Sequence, residues 1–380
     1  MKNFWQQMKK PFYMLAPMYD VTDEAFRQMF VKYGKLGRST GGGGPDVLFT
    51  EFVSVDGLLS PLGRKKLLRE LYFQPNEHPI VAQVFGSDPV KFKEVAKLIS
   101  ELGFDGMDIN MGCPDKAVVK QGAGSALIKN PDLAKAIIES AKEGAGEMPV
   151  SVKTRLGYSS VKEMDEWLSA IISAKPAMLT VHLRTMKELS QVPAHWELAE
   201  KITDMAKGTG VLISANGDIE NIAEAKEKAD KYNLDGVMIG RGAFGNPWFF
   251  ANLAHTESGC QIERPVPNPG QSAGTDSPSF DARSACPSDP LGLGYIPTIS
   301  EKLQALAEHL EIFSRLYLAG PENDKLFGGH TKNFAVMKKH YKAYVNGLSG
   351  ATALRAELME ADTPAEASRI IWQQLKIIDK

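Results

Sequence analysis

The stretch Gly106-Met107-Asp108-Ile109-Asn110-Met111-Gly112-Cys113-Pro114-Asp115-Lys116 decides how this chain is read. Its first five residues are a run of strand length, and the run leads to a thiol fixed between a glycine and a proline. Gly112 permits backbone conformations closed to other residues, and Pro114 locks the next φ angle. Free cysteines are usually small hydrophobes of a core, and a core thiol has no need of such framing. Downstream, Lys120-Gln121-Gly122-Ala123-Gly124-Ser125 is a glycine-rich polar loop able to approach a ligand closely. A short strand that delivers a reactive side chain at its C-terminal end is the unit from which the rest of the fold can be counted.

Working outward, similar runs occur at Tyr13–Ala16, Val47–Thr50, Ile80–Val84, Val150–Thr154, Met178–His182, Val211–Ala215 and Gly236–Ile239. With Gly106–Asn110 they make eight predicted strands. Amphipathic helices are predicted between them at 23–32, 89–102, 131–143, 162–174, 196–205 and 219–231, with no clear helix after Thr50. Strand–helix alternation predicts a parallel α/β architecture. Eight such units in about 250 residues is the size of a (β/α)8 TIM barrel. The competing doubly wound sheet would place a glycine-rich turn after its first strand. Here Ala16-Pro17-Met18-Tyr19-Asp20 follows instead.

The catalytic barrel is therefore expected over 1–254. Residues 255–298 are crowded with Pro, Gly, Ser and Asp and lack apolar periodicity, so a disordered or poorly ordered insertion is expected there. From 299 to 380 helical patterning returns. Leu303, Leu306, Leu310, Phe313 and Leu316 repeat at helical spacing, with Ser300 as the expected N-cap, and further helices are predicted at 333–345, 351–361 and 364–377. The C-terminal region thus reads as all-helical.

Composition narrows the function. The 44 Lys+Arg against 46 Asp+Glu give a net charge of −2, so global charge does not argue for nucleic acid. Cys113, Cys260 and Cys286 are the only cysteines and form no CxxC pair, which indicates neither a disulfide framework nor a zinc site. The first twelve residues lack the apolar stretch of a secretion signal, and no run approaches membrane-spanning length. A cytoplasmic, monomeric enzyme without metal is expected.

In a (β/α)8 barrel, function sits at the C-terminal ends of the strands. Those ends here carry Pro17-Met18-Tyr19, Glu51, Gln83, Asn110 with Cys113, Lys153 with Arg155, His182 with Arg184, Asn216-Gly217-Asp218 and Gly240-Arg241. The last two strand ends open the loops that commonly bind phosphate in such barrels, and Arg241 adds a fixed cation suited to an anion. Sugar-phosphate isomerases and aldolase-like barrels share this feature. Lys153 is suited either to a Schiff-base nucleophile or to a fixed cation beside an electron-rich ligand.

Taken together, A-P-M-Y-D (16–20), Q-V-F-G (83–86), D-I-N-M-G-C-P-D-K-A-V-V-K-Q-G-A-G-S-A-L (108–127), V-K-T-R-L-G (152–157), V-H-L-R-T (181–185), A-N-G-D-I (215–219) and I-G-R-G-A-F-G-N-P-W (239–248) resemble the tRNA-dihydrouridine synthases. The resemblance spans roughly 11–250 and resumes at 331–358, where K-N-F-A-V-M-K-K-H-Y-K-A-Y-V looks like that family's helical tRNA-binding domain. It implies FMN in the barrel mouth and NADPH as reductant. Pro17, Met18 and Tyr19 would lie along the isoalloxazine, Gln83 and Lys153 would bond its polar edge, and His182 would sit beside it. Asn216, Gly217, Asp218, Gly240 and Arg241 would hold the ribityl chain and phosphate. Asn110 and Arg155 would orient the target uracil, and Cys113 would be the general acid. Arg38–Pro45 and the segment after His182 depart from the family's usual pattern.

A tRNA substrate needs a gripping surface. Between 325 and 355 the charged residues are Lys325, Lys332, Lys338, Lys339, Lys342 and Arg355, with Tyr341 and Tyr344 interleaved. Lys332, Lys338, Lys339 and Lys342 are the expected phosphate contacts, and the tyrosines the expected stacking partners. Two other readings stand beside this one. One is an FMN barrel oxidoreductase acting on a free small molecule, in the manner of dihydroorotate or ene reductases. The other is a non-catalytic RNA-binding protein on a barrel scaffold.

Overall fold

Each of the eight expected strands is present, within one residue at either end. The structure is a computed structural model that describes residues 3–34, 44–251, 263–266, 281–285 and 296–378. The strands are β1 Phe12–Leu15, β2 Leu48–Phe49, β3 Val53–Ser54, β4 Ile80–Phe85, β5 Gly106–Asn110, β6 Val150–Arg155, β7 Met178–His182, β8 Leu212–Asn216 and β9 Gly236–Ile239. All pair in parallel in the order β1-β9-β8-β7-β6-β5-β4-β2, with β3 also on β4. A bridge between Met14 and Val47 joins the two ends and closes the barrel.

The second stave comes in two pieces, which accounts for the strand the sequence missed. β2 pairs with Ile80–Val81 and β3 with Val84–Phe85 of the same neighbour. Between them the Thr50 hydroxyl takes a ladder position, accepting the Gln83 amide at 3.2 Å. Glu51 is turned into the protein at this break.

Buried parallel strands read as near-continuous apolar runs because both of their faces are covered. Phe12, Met14 and Ala16 point into the barrel with Val47, Phe49, Val81, Met178, Leu212 and Met238, and Trp5 packs with them at the N-terminal end. Tyr13 and Leu15 alternate outward beneath the helices. Those helices bury a single stripe: in the helix Pro89–Glu101 it is Phe92, Val95, Ala96 and Ile99.

The connection after Ser54 holds two helices the sequence did not announce, Val55–Leu59 and Pro61–Glu70. Within 255–298, where no regular structure was expected, Glu263–Val266 and Asp281–Ala285 pair antiparallel. The remaining residues of that segment up to 295 lie outside the described residues, Cys260 and Cys286 among them. Of Arg38–Pro45, only Gly44 and Pro45 are described.

The C-terminal helices are Ile299–Tyr317, Pro321–Phe327, Lys338–Tyr344, Ala351–Glu360 and Pro364–Ile378. The N-cap of the first is Thr298 rather than Ser300. Its hydroxyl accepts the Glu301 amide at 3.2 Å and Glu301 returns to the Thr298 amide at 2.6 Å, the reciprocal pattern that T-x-x-E makes possible. Leu303, Leu306, Leu310, Phe313 and Leu316 are buried as their spacing predicts. They share one core with Ala25, Met29 and Tyr33 of the first barrel helix, Glu24–Gly34, and with Trp248. The C-terminal helices therefore rest on the first strand–helix unit of the barrel.

Candidate active site

Cys113 stands three residues beyond the end of β5, half-buried, in a loop held from several sides. The Asn110 carboxamide accepts the Gly112 amide at 3.1 Å and the Cys113 amide at 2.9 Å, and donates to Gln83 at 2.9 Å. Arg155 Nε donates to the Gly112 carbonyl at 2.8 Å. Ser125 donates its amide to the Cys113 carbonyl at 3.0 Å, while its buried hydroxyl finds no protein partner. Gly112 is needed for closeness rather than for an unusual φ. A Cβ there would stand 3.1 Å from the Thr154 carbonyl carbon on β6, and Gly112 is not among the residues with positive φ. Burial holds the Cys113 thiol above its ordinary pKa, so at neutral pH it keeps its proton.

Asn110 and Arg155 consequently do something the sequence did not show. Both were expected to face the substrate, and both spend hydrogen bonds on the thiol loop. Arg155 Nη1 also donates to the carbonyls of Thr185 at 3.2 Å and Leu189 at 3.3 Å, tying the loop after β7 to the loop after β5. Among the described residues nothing bonds its Nη2. Gln83 is fully buried and donates to Asp108 at 2.7 Å. Burial pushes the Asp108 carboxyl up to about 6, against its hydrogen bonds from Ser151 and Gln83.

Lys153 sits beside this group on β6. Its ammonium makes one long contact, 3.5 Å to Asn216 Oδ1, and no ion pair. Burial, then the neighbouring Arg155, lowers its pKa to about 8, and burial lowers Arg155 to about 10. His182 lies well below its ordinary range, through burial and then the charges of Arg155, Lys153 and Arg184. It is therefore neutral, with Nε2 facing Arg184 Nη1 at 3.3 Å and its proton on Nδ1.

The loops after β8 and β9 meet across Asp218. This carboxylate, in a left-handed φ of 50°, bonds Arg184 and pairs with Arg241 at 3.0 Å. It also accepts the Ala194 amide at 2.9 Å. Those bonds hold its pKa below the usual carboxylate range despite partial burial. Asp218 thus aims a guanidinium instead of meeting an anion itself. Arg184, which the sequence placed at a strand end without a role, is the buried organiser of this corner. Arg241 remains 65% exposed. Gly217, at φ 147°, is fixed by crowding, since a Cβ there would lie 2.7 Å from Ala194 Cβ. Gly240 stands near Ala16 and Met18, and Pro17 is buried. Tyr19 is 63% exposed on the rim, its ring 5.6 Å from that of Phe52.

The expected RNA-binding lysines divide. Lys332 is buried, with its ammonium 2.5 Å from Glu70, 2.7 Å from Glu51 and 3.6 Å from Asp23, above the Tyr317 ring at 4.7 Å. It closes the seam between barrel and C-terminal helices and cannot meet a phosphate. Tyr341 and Tyr344 are likewise corrected from stacking partners to core, at 0% and 1% exposed. Lys338 donates to the Met359 carbonyl at 2.6 Å, and Lys339 pairs with Asp20 at 2.9 Å. Lys342 is exposed.

A closed parallel barrel whose C-terminal rim joins a protonated thiol, two buried cations lacking carboxylate partners and a guanidinium aimed across glycine loops defines a barrel enzyme for an anionic ligand. Comparison with known proteins narrows that class. The sequence profile described as Dihydrouridine synthase (Dus) matches residues 14–272. A probable tRNA-dihydrouridine synthase of Staphylococcus aureus strain Mu50 is 36% identical over 372 residues, 97% of this chain and 95% of the relative. The probable tRNA-dihydrouridine synthase 2 of Bacillus subtilis strain 168 is 43% identical over 251 residues, 66% of this chain and 74% of the relative. Among solved structures, histamine dehydrogenase of Rhizobium sp. 4-9 overlaps 63% of this chain and 45% of its own at 14% identity and a TM-score of 0.46, too slight a likeness to bear on function. The chain belongs to the dihydrouridine synthase family.

Proposed function

We propose that this protein reduces uridines of tRNA to 5,6-dihydrouridine, with FMN in the barrel mouth, NADPH as reductant and Cys113 as the proton donor. The observation that carries the reading is the placement of a protonated thiol beside Lys153 and Arg155, two cations with no carboxylate partner. The rim's donors fit a flavin phosphate ester. Arg241, steadied by Asp218, suits the phosphate. The Lys153 ammonium suits an electron-rich ring edge, and Met18 with Pro17 offers an apolar wall. Asn216, Gly217 and Gly240 line the way between.

A flavin held there would supply the hydride that uracil C6 requires, a chemistry no side chain provides. The chain's own residues then handle the proton. Cys113 gives its Sγ proton to C5, and the thiolate left behind is stabilised by the charges of Arg155 and Lys153, both of which favour the ionised thiol. Solvent restores the proton. Asn110 and Arg155 act by fixing where the thiol stands, and each has hydrogen-bonding capacity left toward a base. The target base leaves its stack to reach the mouth, at a cost of a few kcal/mol, so RNA must be held outside it. On this reading the protein works in the cytoplasm as a monomer. No helix among the described residues is long and apolar enough to cross a membrane.

Incubating the protein with FMN, NADPH and an unmodified tRNA transcript, followed by chromatographic nucleoside analysis, tests this directly. Dihydrouridine should accumulate with turnover. An unchanged tRNA together with reduction of a free pyrimidine would overturn the reading in favour of a small-molecule oxidoreductase.

A further inference from the structure

A second basic surface stands at the rim, on the helix Pro61–Glu70 after β3. It carries Arg64, Lys65 and Lys66 in succession, all exposed. None of the three pairs with a carboxylate of the described residues. The helix holds one acid, Glu70, and that carboxylate is turned inward to Arg69 at 2.7 Å and Lys332 at 2.5 Å. Three cations in one turn therefore face water with nothing on their own helix to offset them, in a chain whose net charge is −2.

The position of this helix gives the charge a purpose. It is reached from the C-terminal end of the second stave through the helix Val55–Leu59, whose Asp56 pairs with Lys91 of the helix after β4, and its Glu70 shares Lys332 with Glu51 at that stave. Its C-terminal end is tied to the C-terminal helical region, where Arg69 donates to the carbonyls of His330 at 3.0 Å and Thr331 at 2.8 Å. The basic turn therefore bridges the mouth rim and the chain leading toward Lys342. Of the four lysines expected to grip RNA, Lys342 alone is exposed without a partner among the described residues, so the grip has to be found partly elsewhere.

We propose that Arg64, Lys65 and Lys66 form a phosphate-contacting ridge for the backbone of a folded RNA whose target base lies in the mouth. This rests on tRNA being the substrate. Charge complementarity selects a polyanion. Phosphates placed against these cations release condensed counterions, which favours a polyanion over a neutral partner. Successive residues point about 100° apart around a helix, which spreads the three cations across neighbouring phosphates rather than onto one small anion.

The test is the variant Arg64→Ala/Lys65→Ala/Lys66→Ala, with tRNA binding measured across a salt series beside tRNA reduction kinetics. The slope of log affinity against log salt should become shallower by roughly two to three. KM for tRNA should rise about tenfold or more, with kcat at saturating tRNA, flavin reduction by NADPH and the thermal melt unchanged. The charge-keeping variant Lys65→Arg/Lys66→Arg should bind as the wild type does. A wild-type salt slope and KM in the triple-alanine variant would overturn the ridge, as would equal weakening in the charge-keeping variant. Wild-type protein that neither binds nor reduces tRNA at any salt would instead overturn the substrate on which the ridge depends.

Discussion

Lys153 and Lys332 are both largely removed from water, yet their surroundings push them in opposite directions. Around Lys332 three carboxylates converge, those of Asp23, Glu51 and Glu70, and the lysine's pKa lies well above its ordinary value despite burial. Around Lys153 there is no carboxylate within ion-pair distance, and burial lowers it to about 8. A buried charge costs free energy unless it is paired. The seam is thus electrostatically complete from the chain's own residues. In the mouth, Lys153 and Arg155 have no carboxylate partner among the described residues. Where a fold leaves buried positive charge uncompensated, a ligand site is the economical explanation.

The largest effect separating the two regions should come from Lys332→Met. It strands the carboxylates of Asp23, Glu51 and Glu70 at the seam, and urea unfolding should show a loss of about 3–5 kcal/mol, the usual cost of removing one partner from a buried pair. Lys153→Met should behave differently. Without flavin its stability should equal or exceed that of the wild type, because the lost ammonium had no carboxylate partner. Flavin affinity should fall by roughly tenfold to a hundredfold, the worth of one charge-assisted hydrogen bond. A Lys153→Met protein destabilised as much as Lys332→Met would break the comparison.

The smallest effect concerns pH. Burial raises Glu51 from 4.5 to about 8 and raises Asp23, while Lys332 and Arg69 help hold Glu70 below its ordinary value. Glu51 therefore keeps its proton in the folded state after the unfolded chain has released it. Its contribution to stability is complete below pH 4.5 and is lost as pH rises toward 8. Glu51→Gln should remove that decline, so the stability of the wild type should fall steadily relative to that of the variant from pH 5 to pH 8. Wild-type stability that rises relative to the variant over that range would show Glu51 to be ionised in the folded protein.

Much of the barrel was legible because long buried staves are apolar runs with turn residues between them. β3 was not, since a two-residue piece carries no periodicity, and Pro61–Glu70 is too highly charged to show an apolar stripe. The strand ends were readable as a site, and the structure gathers Cys113, Lys153, Arg155, His182 and Asp218 there. What Arg155 bonds was not, because backbone carbonyls on neighbouring loops leave no trace in sequence. Lys332 misled for a similar reason. Its neighbours in sequence are not acidic, and the carboxylates that bury it come from the far end of the chain. Tyr341 and Tyr344 were a readable miss: with Met337 and Val345 they form one helical stripe, and all four are buried.

The central claim is that Cys113 delivers the proton in the mouth. Separate half-reactions of Cys113→Ala test it most directly: flavin reduction by NADPH, then anaerobic reoxidation of the reduced enzyme by tRNA. The first should proceed at the wild-type rate with full flavin occupancy, and the second should slow by roughly 10²–10⁴-fold, the loss expected for a positioned general acid. Reoxidation by tRNA at the wild-type rate would contradict the account.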